Sequence, residues 1–277
     1  MIKKKITNEE IGFWIVTIIV LIVVLGPLLW IYLTAFKSAS DIFSGSLSKQ
    51  ILFTPTLENF KRLFTEYPFF ASLFNTIIIS VVSTILVMVI SLPAAYSFAR
   101  WDTGGGHLLF VTISTRMFPG VVAALPFFLL FRNIGLLDTH IGLILLHMYF
   151  NVSFATFLLY GFFKDVPVEL EQAALIDGYG RIDILRRIVF PLVLPGIAIT
   201  SAFCMIWSWN EFLFAFLFTR DIARPMTVLI SSFWGSIEVQ YGTMAAGVAI
   251  AILPILIVAW VMQRYIIRGL TFGAVKG

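Results

Sequence analysis

A chain of 277 residues that is 60% hydrophobic and only 12% charged, with a mean hydropathy of +0.98, is not a soluble domain, which carries about twice that charge. Its net charge of +4 and pI near 9.2 come without a long basic run or basic residues interleaved with exposed aromatics, which excludes a nucleic-acid surface. The expected class is an all-α, multi-pass membrane protein.

Windows of about 20 apolar residues, enough to cross a hydrocarbon core about 30 Å thick, recur near 11–36, 74–98, 108–131, 141–163, 192–218 and 243–262. The first follows Lys3, Lys4 and Lys5. Its apolar run far exceeds the core of a secretory leader, and no small-x-small cleavage site follows promptly, so it is expected to remain as a span. After the second span, Gly104, Gly105 and Gly106 lie beside Arg100 and Asp102. No strand precedes them and no Lys-Ser/Thr follows, so they read as a turn rather than a phosphate cradle. The third span contains Arg116, Pro119, Gly120 and Pro126, and is expected to be kinked or interrupted. Asn151 in the fourth should face the bundle interior, where it either touches a hydroxylated ligand or bonds another helix.

Between the fourth and fifth spans the sequence turns polar, PVELEQAALIDGYGRIDILRRIVFPLVLP from Pro167 to Pro195. Glu169 to Asp177 reads as a helix with carboxylates in its first turn, Gly178 ends it, and Arg181 to Phe190 forms a second short helix. Small Ala173 and Ala174 would let a partner approach closely, with Glu171, Gln172 and Asp177 able to hydrogen-bond to it. The spacing resembles the EAA loop of bacterial ABC importer permeases: Glu-Ala-Ala, three residues, Gly, nine residues, Ile-x-Leu-Pro. Here Gln172, Ala173 and Ala174 take the first places, Gly178 the glycine, and Ile188, Phe190 and Pro191 the end. Gln172 for glutamate and Phe190 for leucine depart from that pattern, and neighbouring Glu171 is a candidate for the missing acid.

The fifth span holds WSWNEFLFAF, with Asn210 and the intramembrane carboxylate of Glu211. Such a group needs a lined cavity or a buried partner. Arg116 is the candidate partner, and three readings stand open: a structural Arg116–Glu211 pair, a role along a substrate path, or a place near an interface to which either side chain snorkels. Cys204, the single cysteine, allows no intrachain disulfide. The tail, QRYIIRGLTFGAVKG, resembles the C-terminus of one permease subunit of the maltose-type carbohydrate import family, in which Gly269, Thr271, Gly273 and Lys276 would contact the ATPase. His107, His140 and His147 lack metal-ligand spacing, and no nucleophile–base–orienter set appears.

That resemblance covers nearly the whole chain. It implies the type I ABC importer permease fold, a single transmembrane domain over 1–277 with its EAA loop at 165–191 and a cytoplasmic tail at 263–277. It also implies half of a heterodimeric pore for a sugar or polyol, a homologous permease, two ATPase subunits and an extracellular solute-binding protein. No Gly-Lys dipeptide occurs, so there is no Walker A sequence here. No cofactor is expected on this chain, and ATP and Mg belong to the partner ATPase. The coupling residues implied are Glu169, Glu171, Gln172, Ala173, Ala174, Asp177, Gly178 and Pro191. The substrate path would use Arg116, Asn151, Asn210 and Glu211. Six spans put both termini in the cytoplasm of a bacterial or archaeal inner membrane, with 11 Lys/Arg inside, 7 outside and 1 within the bilayer out of 19. The alternative is an ion-coupled secondary transporter built on Glu211 and Arg116.

Overall fold

The computed structural model describes the backbone over residues 8–234 and 240–274, and side chains over 10–46, 48–234, 240–263 and at 265. Among the described residues every regular element is helical. In chain order these are α1 (Asn8–Ala35), α2 (Ala39–Ile42), α3 (Leu47–Ile51), α4 (Glu58–Glu66), α5 (Phe69–Trp101), α6 (Gly105–Met117) and α7 (Gly120–Asn133). There follow α8 (His140–Lys164), α9 (Val168–Ile176), α10 (Arg181–Ile184), a π-helical turn (Leu185–Val189), α11 (Phe190–Asn210), α12 (Leu213–Phe218), α13 (Met226–Ser232) and α14 (Tyr241–Ala274).

Among the described residues, five helical stretches are long and apolar enough to cross a bilayer: Glu10–Ala35, Phe69–Trp101, His140–Lys164, Arg181–Asn210 and Tyr241–Gln263. A sixth arises if α6 and α7, bent by 89°, count as one span. The bend sits at Pro119, which has no N–H to continue the ladder and pushes Phe118 into an extended conformation (ψ 127°).

The fifth window departs from its expected limits of 192–218. Its helix begins at Arg181 and stops at Asn210, Glu211 is extended (ψ 128°), and α12 is a separate helix. The second short helix expected at 181–190 is likewise not separate. It runs into α11 through the π turn, where the Phe190 N–H donates to the Leu185 carbonyl. Pro191 and Pro195 cannot donate, so the ordinary helical ladder is already broken at that point.

The chain divides into two compact units, Met1–Phe69 with Ile230–Leu253, and Phe70–Leu229 with Pro254–Gly277. In the first, the Asn59 amide donates to the carbonyls of Ala35 (2.9 Å) and Lys37 (2.8 Å), tying α4 to the end of α1. Leu63 on α4 is fully buried, and the Tyr32 hydroxyl donates to the Ala249 carbonyl. Lys37 is buried with its ammonium 4.1 Å from the Trp30 ring centre, and desolvation lowers its pKa while Asp41 opposes the shift.

In the second unit α8 is central and free of proline. Thr139 caps it by accepting from the Gly142 N–H, and its Ala155, Leu159 and Phe163 are completely buried. These pack in one apolar cluster with Val87 and Ala95 of α5 and Val193 and Cys204 of α11. Helix α11 passes α8 closely at Gly196, where a Cβ would lie 2.3 Å from Cγ of Phe162. A second cluster joins Ile79, Leu146, Phe150, Phe214 and Phe218.

Candidate functional site

Within the second unit, the break between α11 and α12 opens a cavity of about 500 Å³, lined by Arg116, Phe154, Phe203, Trp207, Asn210 and Glu211 among others. Arg116 ends α6. One guanidinium nitrogen donates to the Phe150 carbonyl (3.0 Å), and the group lies 4.5 Å from the Phe154 ring centre and 5.8 Å from that of Trp207. Facing rings stabilise a cation without neutralising it.

Glu211 lines the same cavity, but its carboxylate is committed elsewhere. It accepts from the N–H groups of Phe214 (2.8 Å) and Ala215 (3.0 Å), capping α12, and lies 3.6 Å from Nε2 of His147. The Arg116–Glu211 pair expected from the sequence therefore does not form among the described residues. The broken backbone instead offers Glu211 two N–H donors at the start of α12. His147 Nδ1 meets the Ser208 hydroxyl at 2.8 Å, which in turn meets Ser83 at 3.0 Å. Asn210 sits on the rim, its amide donating to the Ile206 carbonyl. Asn151 is buried, is not among the residues lining the cavity, and neither of its side-chain polar atoms has a partner among the described residues. The helix-to-helix bond expected of it is absent there.

At the other end of α8, α9 crosses as a short helix. Gly178 follows it at φ +84°, with the Gly178 N–H reaching the Leu175 carbonyl and the Tyr179 N–H the Ala174 carbonyl. This two-bond closure needs a left-handed residue, which glycine supplies without a steric penalty. Glu169, Leu170, Gln172, Ala173, Ile176 and Asp177 are exposed on α9, Ile176 at 86%. Glu171 and Ala174 are not; at 8% and 5% exposure they face inward, which corrects their expected place on a partner-contacting surface. The Glu171 carboxylate takes the Tyr96 hydroxyl (2.7 Å) on one oxygen and Arg100 Nε (2.5 Å) on the other. Arg100 also donates to the Val166 carbonyl (2.9 Å). Breaking such a buried pair by removing one partner costs about 3–5 kcal/mol.

Residues 89–271, which hold the cavity, the α9 loop and most of the last helix, match the family described as "Binding-protein-dependent transport system inner membrane component". The chain belongs to this family. As an inner membrane component of a transport system it is a transport subunit and not an enzyme. It is 35% identical to the trehalose transport system permease SugB of Mycobacterium tuberculosis over 91% of this chain and 92% of that protein. It is 32% identical to the trehalose/maltose permease MalG of Thermococcus litoralis over 94% of each. In three dimensions it is similar to a chain of a bacterial ABC transporter involved in the import of alginate, with a TM-score of 0.78 at 23% identity, covering 95% of this chain and 99% of that one. The fold is thus that of a type I ABC importer permease.

Of the residues singled out in this inner membrane component from sequence, Arg116, Asn210 and Glu211 share the cavity, while Asn151 is held apart from it. Pro191 stands in the first turn of α11 rather than on the α9 surface. Gly269, Thr271 and Gly273 belong to the backbone of α14, but the Thr271 side chain, like all of Lys276, lies outside the described residues. Sequence reasoning weighed His147 only as a metal ligand and passed over Phe154 and Phe203, whose partners are distant in the chain. Of the two inward partners of Glu171, it placed Arg100 only beside the glycine turn and passed over Tyr96. A polar Tyr-x-x-x-Arg at the end of an apolar helix was the available signal.

Proposed function

We propose that this chain forms one half of the translocation pore of an ATP-driven importer of a sugar or polyol. Its partners are a homologous permease, two cytoplasmic ATPase subunits and an extracellular solute-binding protein, and both of its termini lie in the cytoplasm. The observation that carries the reading is α9. It is a short helix presenting a continuous strip from Glu169 to Asp177 while its other face is anchored by Glu171 and Ala174. A helix held rigidly on one side and bare on the other suits a seat in a partner's cleft. Nucleotide-driven closure of the ATPase pair moves that seat, and the anchored face passes the movement to the spans. The cytoplasmic tail at 263–277 supplies a second contact with the ATPase.

The cavity suits a neutral polyhydroxylated ligand. Sugars are held by a few hydrogen bonds and by aromatic faces, and Arg116, Asn210, Phe154, Phe203 and Trp207 offer both. The permeases of trehalose and maltose systems among the relatives favour the same class. The ion-coupled alternative loses the Arg116–Glu211 relay on which it depended.

Purification from the native membrane in mild detergent tests the reading. A second permease and an ATPase should accompany the chain, with hydrolysis stimulated several-fold by a binding protein loaded with sugar. A chain that purifies alone and moves solute without nucleotide would overturn it.

A further inference from the structure

Helix α9 is attached to the membrane spans in two different ways. Toward α11 the route passes through Gly178 at φ +84°, through Gly180, and through the π turn Leu185–Val189. Ala174 packs in one buried cluster with Ile184 and Val189 on this side, but nothing lies within 4 Å of a Cβ built at Gly178, so the turn itself is open. Toward α5 the route is closed: one carboxylate of Glu171 grips two residues of the last turns of α5, the Tyr96 hydroxyl and the Arg100 guanidinium. Arg100 simultaneously holds the Val166 carbonyl, just before α9, so the helix is fixed at its start and in its first turn. Ala174 belongs to the same buried cluster as Ala95 and Ala99 of α5.

The ion pair is well shielded, with the Arg100 and Glu171 side chains only 5% and 11% exposed. A buried pair whose remaining polar atoms are satisfied keeps its geometry, whereas a glycine turn changes shape at little cost. We propose that Glu171 is a positioning residue that locks α9 to the end of α5, so that movement imposed on α9 is delivered to α5 through Glu171, Tyr96 and Arg100. This deepens the importer reading and rests on it. The consequence is directional. Helix α5 runs 33 residues, and its far end holds the 222–226 segment: Asn75 donates to the carbonyls of Ile222 and Arg224, and Thr76 accepts from the Met226 N–H. A displacement entering at Arg100 therefore reaches the opposite end of the bundle along one helix.

The test uses the complete transporter in proteoliposomes and reads sugar taken up per ATP hydrolysed. Glu171→Gln removes the charge but keeps the shape, and Tyr96→Phe removes one hydroxyl and leaves the ion pair. Because both groups face away from the ATPase, the amount of ATPase purified with the subunit should stay unchanged. Uptake per ATP should fall about tenfold in Glu171→Gln and less in Tyr96→Phe. The paired exchange Arg100→Glu with Glu171→Arg should restore a measurable part of the loss, which a change in packing alone would not. An unchanged ratio in Glu171→Gln would overturn the proposal, as would equal loss of both variants from the membrane, since that would make the cluster a folding element only. A wild-type complex lacking binding-protein-stimulated hydrolysis would defeat the importer reading itself, and so is told apart from failure of the lock.

Discussion

At the scale of single residues, polar groups here act by satisfying backbone. Asp138 stands between α7 and α8 at φ +55°, and its two carboxylate oxygens accept from the N–H groups of Arg220, Asp221, Ile222 and Ala223. Burial alone would raise its pKa, but these four donations hold it below the usual carboxylate range. A folded-state pKa below the unfolded value contributes stability that is present above the unfolded pKa and is lost as pH falls through the folded one. Asp138→Asn tolerates the left-handed backbone yet points an amide at N–H donors. We expect it to lower stability at pH 7 by about 1–3 kcal/mol and to flatten the acid limb, as read by thermal melts in detergent from pH 7 down to pH 3. An acid limb identical to wild type would count against the assignment. Arg116 is the cavity's cation, set between Phe154 and Trp207. Arg116→Leu should reduce sugar uptake at least tenfold while stimulated ATP hydrolysis persists. Undiminished uptake would remove it from the substrate path.

At the scale of elements, close approach and turn geometry decide what the helices tolerate. The contact of α11 with α8 at Gly196 leaves no room for a side chain, since any Cβ falls against the Phe162 ring. Gly196→Leu should overpack this crossing and lower stability by about 1–3 kcal/mol, measurable as a reduced melting temperature. The α9 turn fails differently. Gly178→Val has space but is forced into the left-handed region, at a strain of about 1–2 kcal/mol, whereas Gly178→Asn accepts that conformation. We therefore expect uptake per ATP to fall in the valine variant and to survive largely intact in the asparagine variant. Equal behaviour of the two would mean that left-handed geometry is not what residue 178 supplies.

At the scale of the whole molecule, the bilayer made most of the fold legible, because a helix crossing it must be about 20 residues long and apolar. The interruption at Pro119 could be read from the Pro119-Gly120 pair beside Arg116, although Pro27, Pro93, Pro126, Pro195 and Pro254 sit inside continuous helices, and the turn at Gly178 could be read because glycine favours φ > 0. The break at Glu211 could not. No glycine or proline marks it, and it depends on a carboxylate turning back to the N–H groups of Phe214 and Ala215. The inward orientation of Glu171 was equally hidden, because its partners Tyr96 and Arg100 lie on another helix, 75 and 71 residues away. Motif likeness put Glu171 among surface residues, and the buried charge partner reversed that placement. The central claim is that ATP binding outside this chain drives solute through it. Uptake of a radiolabelled sugar into proteoliposomes holding the whole complex, with binding protein on one side and ATP on the other, tests it most directly. The account predicts uptake only when both are present and none on a proton or sodium gradient alone; uptake driven by the gradient without ATP would contradict it.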